Sequence, residues 1–312
     1  MNVLIVDEMH PSIVEMPKSL GLNVDYLPKI SREEFLNILP NYEGLIIRSK
    51  FIIDEPLIKS ATKLKFIGRA GAGLDLIDIE ACHKNHIAIF AANEGNRIAV
   101  AEHLIGMLLT LFNNIHVANQ EVQNGVWKRE ENRGTELFAK TVGIIGYGNN
   151  GQTTAERLVA FGCNVLAYDK HRYGFGNQFV TECSMEEIYR EADIISLHVP
   201  LNFETVGMIN TDYLNRFKKP VYFCNVSRGE IIKLEDLTKA LEEGQVLGAC
   251  LDVLENEKLN KLTAEQQVTF TKLTDNPKVI LTPHIAGWTH QSYKRINEVL
   301  RDKIGRFLDL HQ

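Results

Sequence analysis

The feature that most restricts the fold is a regular alternation of short, branched apolar runs with helix-sized segments. NVLIVD (residues 2–7), GLIIRS (44–49), LKFIGRA (64–70) and IAIFAA (87–92) form a first series. KTVGIIGYG (140–148), NVLAYD (164–169), DIISLHV (193–199), PVYFCNVS (220–227), VLGACLDV (246–253) and KVILT (278–282) form a second. These runs lack polar alternation, so each reads as a strand covered on both faces, which is how a parallel sheet flanked by helices is written. Ser31, with Glu34 three residues on, gives one intervening helix a capping-box start. The pattern predicts an α/β protein with two doubly wound βαβ domains, four strands in the first and six in the second.

A chain of 312 residues is long for one core and fits two domains. Between the two series, the stretch AVAEHLIGMLLTLFNN (99–114) is apolar over much of its surface, as a deeply buried helix or an oligomer interface would be. The final segment, THQSYKRINEVLRDKIGRFLDL, is amphipathic and is expected to return to the first domain. That domain would then be discontinuous, residues 1–96 plus 286–312, around a second domain of 97–285, with a hinge at the two crossings and a cleft between them. The polar, Thr-rich segment 255–277 reads as a surface loop.

A net charge of −6 without a basic stripe argues against a nucleic-acid partner. No apolar run approaches the roughly 20 residues of a membrane span. The opening MNVLIVDEMHP has no basic lead and long apolar core, so no signal peptide is expected. Cys82, Cys163, Cys183, Cys224 and Cys250 lie far apart without ligand spacing. They read as reduced thiols of a cytoplasmic protein, with no metal site.

The second series opens on the strongest motif. IIGYGNNGQTTAERLVAFG sets Gly146, Gly148 and Gly151 in the spacing G-x-G-x-x-G after an apolar strand and at the start of a helix. Glycines there permit a tight turn and close approach to a pyrophosphate, and the helix N-terminus offers free amides. VLAYD then ends at Asp169, whose carboxylate can accept from a ribose diol and would repel a 2′-phosphate. The reading is a Rossmann domain for NAD rather than NADP, although Lys170, His171 and Arg172 could hold a 2′-phosphate if Asp169 turned away.

Open parallel sheets bind ligands at the carboxyl ends of their strands. Arg228 stands there in NVSRGE, Glu257 follows LDVLENE, and His284 follows VILTP. An imidazole oriented by a carboxylate suits proton transfer to a carbonyl oxygen during hydride transfer. A planar, permanently charged guanidinium suits a carboxylate beside the reacting carbon.

With these residues in place, the chain resembles the D-2-hydroxyacid dehydrogenases, and among them the phosphoglycerate dehydrogenase branch. The likeness runs through GRAGAGLDLID (68–78), VAEHLIGMLL (100–109), GVWKREENRGTEL (125–137), KTVGIIGYGNNG, ADIISLHVPLNFETVGMIN (192–210), NVSRGEII (225–232), LDVLENE and TPHIAGWT. It implies a flavodoxin-like substrate domain beside the Rossmann domain and an NAD-dependent enzyme of serine biosynthesis. In that reading Arg228 binds the substrate carboxylate and keto oxygen, and His284 is the acid/base paired with Glu257. Asp252 would hold the nicotinamide carboxamide. Gly146, Gly148, Asn149, Asn150, Gly151 and Asp169 would meet the pyrophosphate and ribose. His198, Val199, Pro200, Thr205, Val226, Ser227 and Gly287 would complete the cofactor site. Arg48, Ser49, Arg69, Ala72, Gly73 and Asn96 would meet the substrate. A homodimer through the NAD-binding domain is implied, explaining the apolar 100–112 stretch.

This chain departs from the pattern in places. Asn150 replaces an apolar residue in the glycine motif, Asn93 stands where proline is common, and the stretch between Glu257 and His284 is long and lacks the usual Glu-Pro. Glu255 is therefore an alternative partner for His284. The sequence ends soon after its final helix, so a short form without the C-terminal regulatory domain is expected. Arg48, Lys50 and Arg69, with Arg129 and Arg133 reaching from a neighbouring subunit, form the kind of cationic set a 3-phosphate needs; solvation, or pairing with Glu130 and Glu131, is the plain alternative. The expected substrate pair is 3-phosphoglycerate and phosphohydroxypyruvate. Glyoxylate, hydroxypyruvate or D-lactate enzymes are the first alternative, and a non-catalytic NAD-sensing protein is one from another class.

Overall fold

The computed structural model describes residues 1–310, which divide into two compact units, residues 1–97 with 288–310, and Ile98–Gly287. The first unit runs β1 (Asn2–Ile5), α1 (Ser12–Ser19), β2 (Asn23–Tyr26), α2 (Arg32–Ile38), β3 (Gly44–Ile47), α3 (Glu55–Ser60), β4 (Phe66–Arg69), α4 (Ile79–Lys84) and β5 (Ala88–Ala91). Its five strands are all parallel, in the order β2-β1-β3-β4-β5. That is the flavodoxin-like order. The Ser31 capping box closes as expected, with Ser31 Oγ accepting from the Glu34 amide and Glu34 accepting from the Ser31 amide.

The second unit begins in α5 (Arg97–Phe112) and α6 (Ile115–Gln123), with Asn114 between them in the left-handed region at φ 50°. It continues through β6 (Thr141–Ile145), α7 (Asn149–Ala160), β7 (Asn164–Tyr168), β8 (Val180–Glu182), α8 (Met185–Glu191), β9 (Ile194–Leu197), α9 (Thr211–Leu214), β10 (Val221–Asn225), α10 (Leu234–Glu242), β11 (Val246–Leu251), α11 (Ala264–Thr274) and β12 (Val279–Leu281). Seven parallel strands stand in the order β12-β11-β10-β9-β6-β7-β8, a doubly wound sheet whose order reverses between β6 and β9. Such a reversal opens a crevice at the strand carboxyl ends, where ligands bind. The last helix, α12 (His290–Asp309), packs in the first unit against α1, β4 and β5.

Three sequence expectations are corrected. The first sheet has five strands rather than four, and the second seven rather than six. The additional strands, β2 and β8, are short edge strands with partly exposed residues, so they carry no continuous apolar run. The segment 255–277 is not a loop throughout, because α11 occupies Ala264–Thr274. Thr263 accepts from the Gln266 amide while the Gln266 side chain accepts from the Thr263 amide, a second capping box. Leu273 is the helix's buried residue, which is why apolar periodicity was weak there.

The apolar face of α5 is covered within its own unit. Val100, Leu104, Leu108 and Leu111 pack with Val142, Ile144, Cys224 and Cys250 of the sheet. The opposite face of that sheet is closed by Ile188, Leu214, Phe217, Leu237 and Leu273. The cores of the first unit lie on its two faces, around Phe35 and Ile67 on one and Phe66, Leu300 and Ile304 on the other. All five cysteines are unpaired. Among the described residues no single helix is long and apolar enough to cross a membrane.

Candidate active site

The glycine loop lies between β6 and α7. Gly146 has φ +94°, and a Cβ there would stand 2.6 Å from the His198 carbonyl; one on Gly151 would stand 2.0 Å from the Gly146 carbonyl. Neither position tolerates a side chain, so the chain doubles back tightly. At Gly148, the N-cap of α7, a Cβ would meet nothing within 4 Å, and no side chain caps the helix. Open space faces a helix N-terminus with free amides and a positive dipole end, as a pyrophosphate requires. Asn150, in the first turn, has a buried Oδ1 without a hydrogen-bond partner among the described residues. These residues fit a dinucleotide.

Asp169 ends the β7 run as expected, and its carboxylate is fixed toward the glycine loop. One oxygen accepts from the Tyr147 amide at 2.8 Å and the other from the His171 amide at 2.9 Å. Arg172 donates to the Tyr147 carbonyl with its guanidinium 5.9 Å from that ring, and Lys170 pairs with Glu204. On the far side of the loop, His198 Nε2 meets Ser196 Oγ at 2.8 Å, while its buried Nδ1 has no partner among the described residues. Burial pushes the His198 imidazole pKa down to about 3, so the ring is neutral. Thr205 donates to the Pro200 carbonyl at 2.7 Å and accepts from the Asn202 amide at 2.9 Å, bracing the turn after β9.

Arg228, Glu257 and His284 follow β10, β11 and β12, three neighbouring strands of one sheet. His284 Nδ1 lies 2.9 Å from Glu257 Oε1 and 3.2 Å from Oε2, both side chains about half exposed. Glu257 is thus the carboxylate on the ring. Glu255, the alternative from sequence, instead accepts from the Leu234 amide at the start of α10. Arg228 donates to the Ser227 carbonyl at 2.7 Å. Its backbone is held by Asn225, which is fully buried, donates to the Arg228 carbonyl at 2.9 Å, and accepts from the Ser227 amide. Ser227 Oγ in turn donates to the Leu197 carbonyl. Gly229 admits no side chain, since a Cβ would come within 1.9 Å of the Leu254 carbonyl.

The sequence does not reveal what Asp252 does locally. At 1% exposure, its carboxylate accepts from Thr282 Oγ at 2.6 Å and from the Ile285 and Ala286 amides at 2.8 Å each. Its carbonyl accepts from the His284 amide at 2.7 Å. His103 of α5 reaches Thr282 Oγ at 3.0 Å. A buried carboxylate satisfied in this way locks the turn that presents His284, whose own backbone sits in the left-handed region at φ 55°. Asp252 and the residues it binds lie 30 or more positions apart, so only the juxtaposition of β11 and β12 reveals the lock.

In the first unit, the substrate candidates follow the carboxyl ends of β1, β3 and β4. Asp7 accepts from the Arg48 and Ser49 amides, and the Arg48 guanidinium lies 3.9 Å over the Trp288 ring. Arg69 Nη1 donates to the Ala70 carbonyl at 3.0 Å, ahead of the turn bearing Ala72 and Gly73. Asn96 Oδ1 is buried without a partner among the described residues. Two of the other expected cations are engaged locally, Lys50 on the Pro28 carbonyl and Arg133 on Glu130. No group of three or more His, Cys, Asp or Glu among the described residues could hold a metal ion.

A doubly wound sheet with a glycine loop at its switch point, and an Arg, Glu and His at three neighbouring strand ends, has the architecture of a dinucleotide-binding protein. The family model of the D-isomer specific 2-hydroxyacid dehydrogenase NAD binding domain matches residues 105–286, more than half of the chain. The chain belongs to this family. It is 35% identical to D-3-phosphoglycerate dehydrogenase of Synechocystis over 93% of its own length, and 34% identical to the Homo sapiens enzyme of that name over 95%. These alignments take in 51% and 54% of the two relatives, so the chain spans about half the length of the curated relatives it matches. Among solved structures, a D-lactate dehydrogenase from Aquifex aeolicus complexed with NAD and lactic acid superimposes with a TM-score of 0.84 at 29% identity, covering 99% of this chain and 96% of that one. A glyoxylate reductase from Paecilomyes thermophila gives 0.85 at 26%, covering 97% and 94%.

Proposed function

We propose that the protein is an NAD-dependent D-2-hydroxyacid dehydrogenase whose substrate pair is 3-phosphoglycerate and phosphohydroxypyruvate, a step of serine biosynthesis. The observation that carries the dehydrogenase reading is the His284–Glu257 contact at the strand end beside the Arg228 loop. The substrate reading is supported by the names of the curated relatives and by Arg48 and Arg69 at the strand ends of the first unit. Gly146, Gly148, Gly151 and the first turn of α7 would hold the pyrophosphate, and Asp169 the adenosine ribose. Bound NADH supplies the hydride. Arg228 anchors the substrate carboxylate and polarises the keto oxygen. His284 turns Nδ1 toward Glu257, so Nε2 is left to deliver a proton to that oxygen in reduction and to take it back in oxidation. Glu257 fixes the tautomer and stabilises the imidazolium.

The unpaired thiols fit a reducing compartment, so the cytoplasm is the proposed location. The proposed assembly is a homodimer through the NAD-binding domain, supported by exposed apolar side chains at Ile115, Val122, Trp127 and Phe138.

The test is NADH oxidation by the full chain with phosphohydroxypyruvate, hydroxypyruvate, glyoxylate and pyruvate. The expected outcome is the highest kcat/KM with phosphohydroxypyruvate. A preference for an unphosphorylated acid would move the protein to a glyoxylate, hydroxypyruvate or D-lactate type. Tight NAD binding with no turnover on any 2-keto acid would leave an NAD sensor.

A further inference from the structure

The run after β7 poses a problem of charge. Asp169 is followed by Lys170, His171 and Arg172, a cationic set suited to a 2′-phosphate, directly beside a carboxylate suited to a free ribose. The structure shows where two of these cations go. Arg172 donates to the Tyr147 carbonyl and lies near the Tyr147 ring. Lys170 Nζ lies 2.6 Å from Glu204 Oε1.

Glu204 is well placed to hold it. The Asn202 side chain accepts from the Glu204 and Thr205 amides at 2.9 and 3.1 Å, and Thr205 Oγ is bonded to the Pro200 carbonyl. A braced turn thus delivers the carboxylate across from the β7 loop. The pairing raises the Lys170 pKa and lowers that of Glu204, so both stay charged near neutral pH.

We propose that Glu204 is a cofactor-specificity residue: it neutralises Lys170 and so denies the chain a cation with which to accept a 2′-phosphate. Discrimination against NADP then has two parts, repulsion by Asp169 and sequestration of Lys170 by Glu204. This inference rests on the reading that the Asp169 edge takes the adenosine ribose.

Calorimetric titration of the full chain with NAD+ and with NADP+ tests it, without recourse to turnover. Glu204→Gln is expected to tighten NADP+ by about fivefold, the scale of one partly screened charge contact, while NAD+ affinity changes less than about twofold. The gain should vanish in Lys170→Met/Glu204→Gln and shrink as salt is raised. Unchanged NADP+ affinity in Glu204→Gln, or a gain that survives loss of Lys170, overturns the proposal. Asp169→Ala isolates the underlying reading, since it should raise the ratio of NADP+ to NAD+ affinity whatever Glu204 does. If that ratio does not move, the ribose does not lie at Asp169 and the fault is in that assignment.

Discussion

At the scale of residues, the proposed site separates groups that would meet ligand from groups that aim them. Loss of the imidazole in His284→Ala is expected to lower kcat by about a hundredfold or more, the usual worth of a general acid–base; steady-state NADH oxidation checks this, and unchanged turnover removes His284 from the reaction. His198 calls for a different experiment. Its folded pKa of about 3 lies below its ordinary 6.5, so the unfolded chain binds a proton that the native ring refuses. Stability from this group is therefore complete above about pH 6.5 and is lost as pH falls from there toward 3, at about 1.4 kcal/mol per pH unit. The unfolding free energy of His198→Gln, measured in urea between pH 4 and 6, should fall with acidification less steeply than the native chain's by that amount. Much of this site was legible in the sequence because Arg228, Glu257, His284 and Asp169 each follow a recognisable strand. Asp252 and Gly229 were not legible in their local roles, because each meets backbone brought near only by the packing of neighbouring strands, whereas Asn225 braces its own loop through Ser227 and Arg228.

At the scale of elements, sequence reading worked where burial is two-sided and failed where it is not. The central strands announce themselves as unbroken apolar runs, whereas edge strands β2 and β8 keep partly exposed residues and lose that signal. Helix α11 fails the periodicity test for the same reason, yet TAEQ at its start holds a readable capping box. Thr263→Ala removes that cap and is expected to cost about 1 kcal/mol. Hydrogen exchange should show faster exchange confined to the first turn of 264–274, and an unchanged profile would mean that packing on α10 alone holds the helix.

At the scale of the whole molecule, two questions remain open to direct measurement. One is assembly. Trp127 is 83% exposed and Phe138 69%, unusual for large apolar side chains without a partner. Sedimentation equilibrium should give a dimer for the native chain and a monomer for Trp127→Glu; a native chain that sediments as a monomer sinks the assignment. The other concerns His284, whose left-handed backbone at φ 55° is an expense of about 1 kcal/mol for a residue with a Cβ. Glycine adopts that conformation freely, so His284→Gly should melt about 1–2 °C higher while losing the proposed acid–base group. Selection for heat resistance alone would discard this histidine.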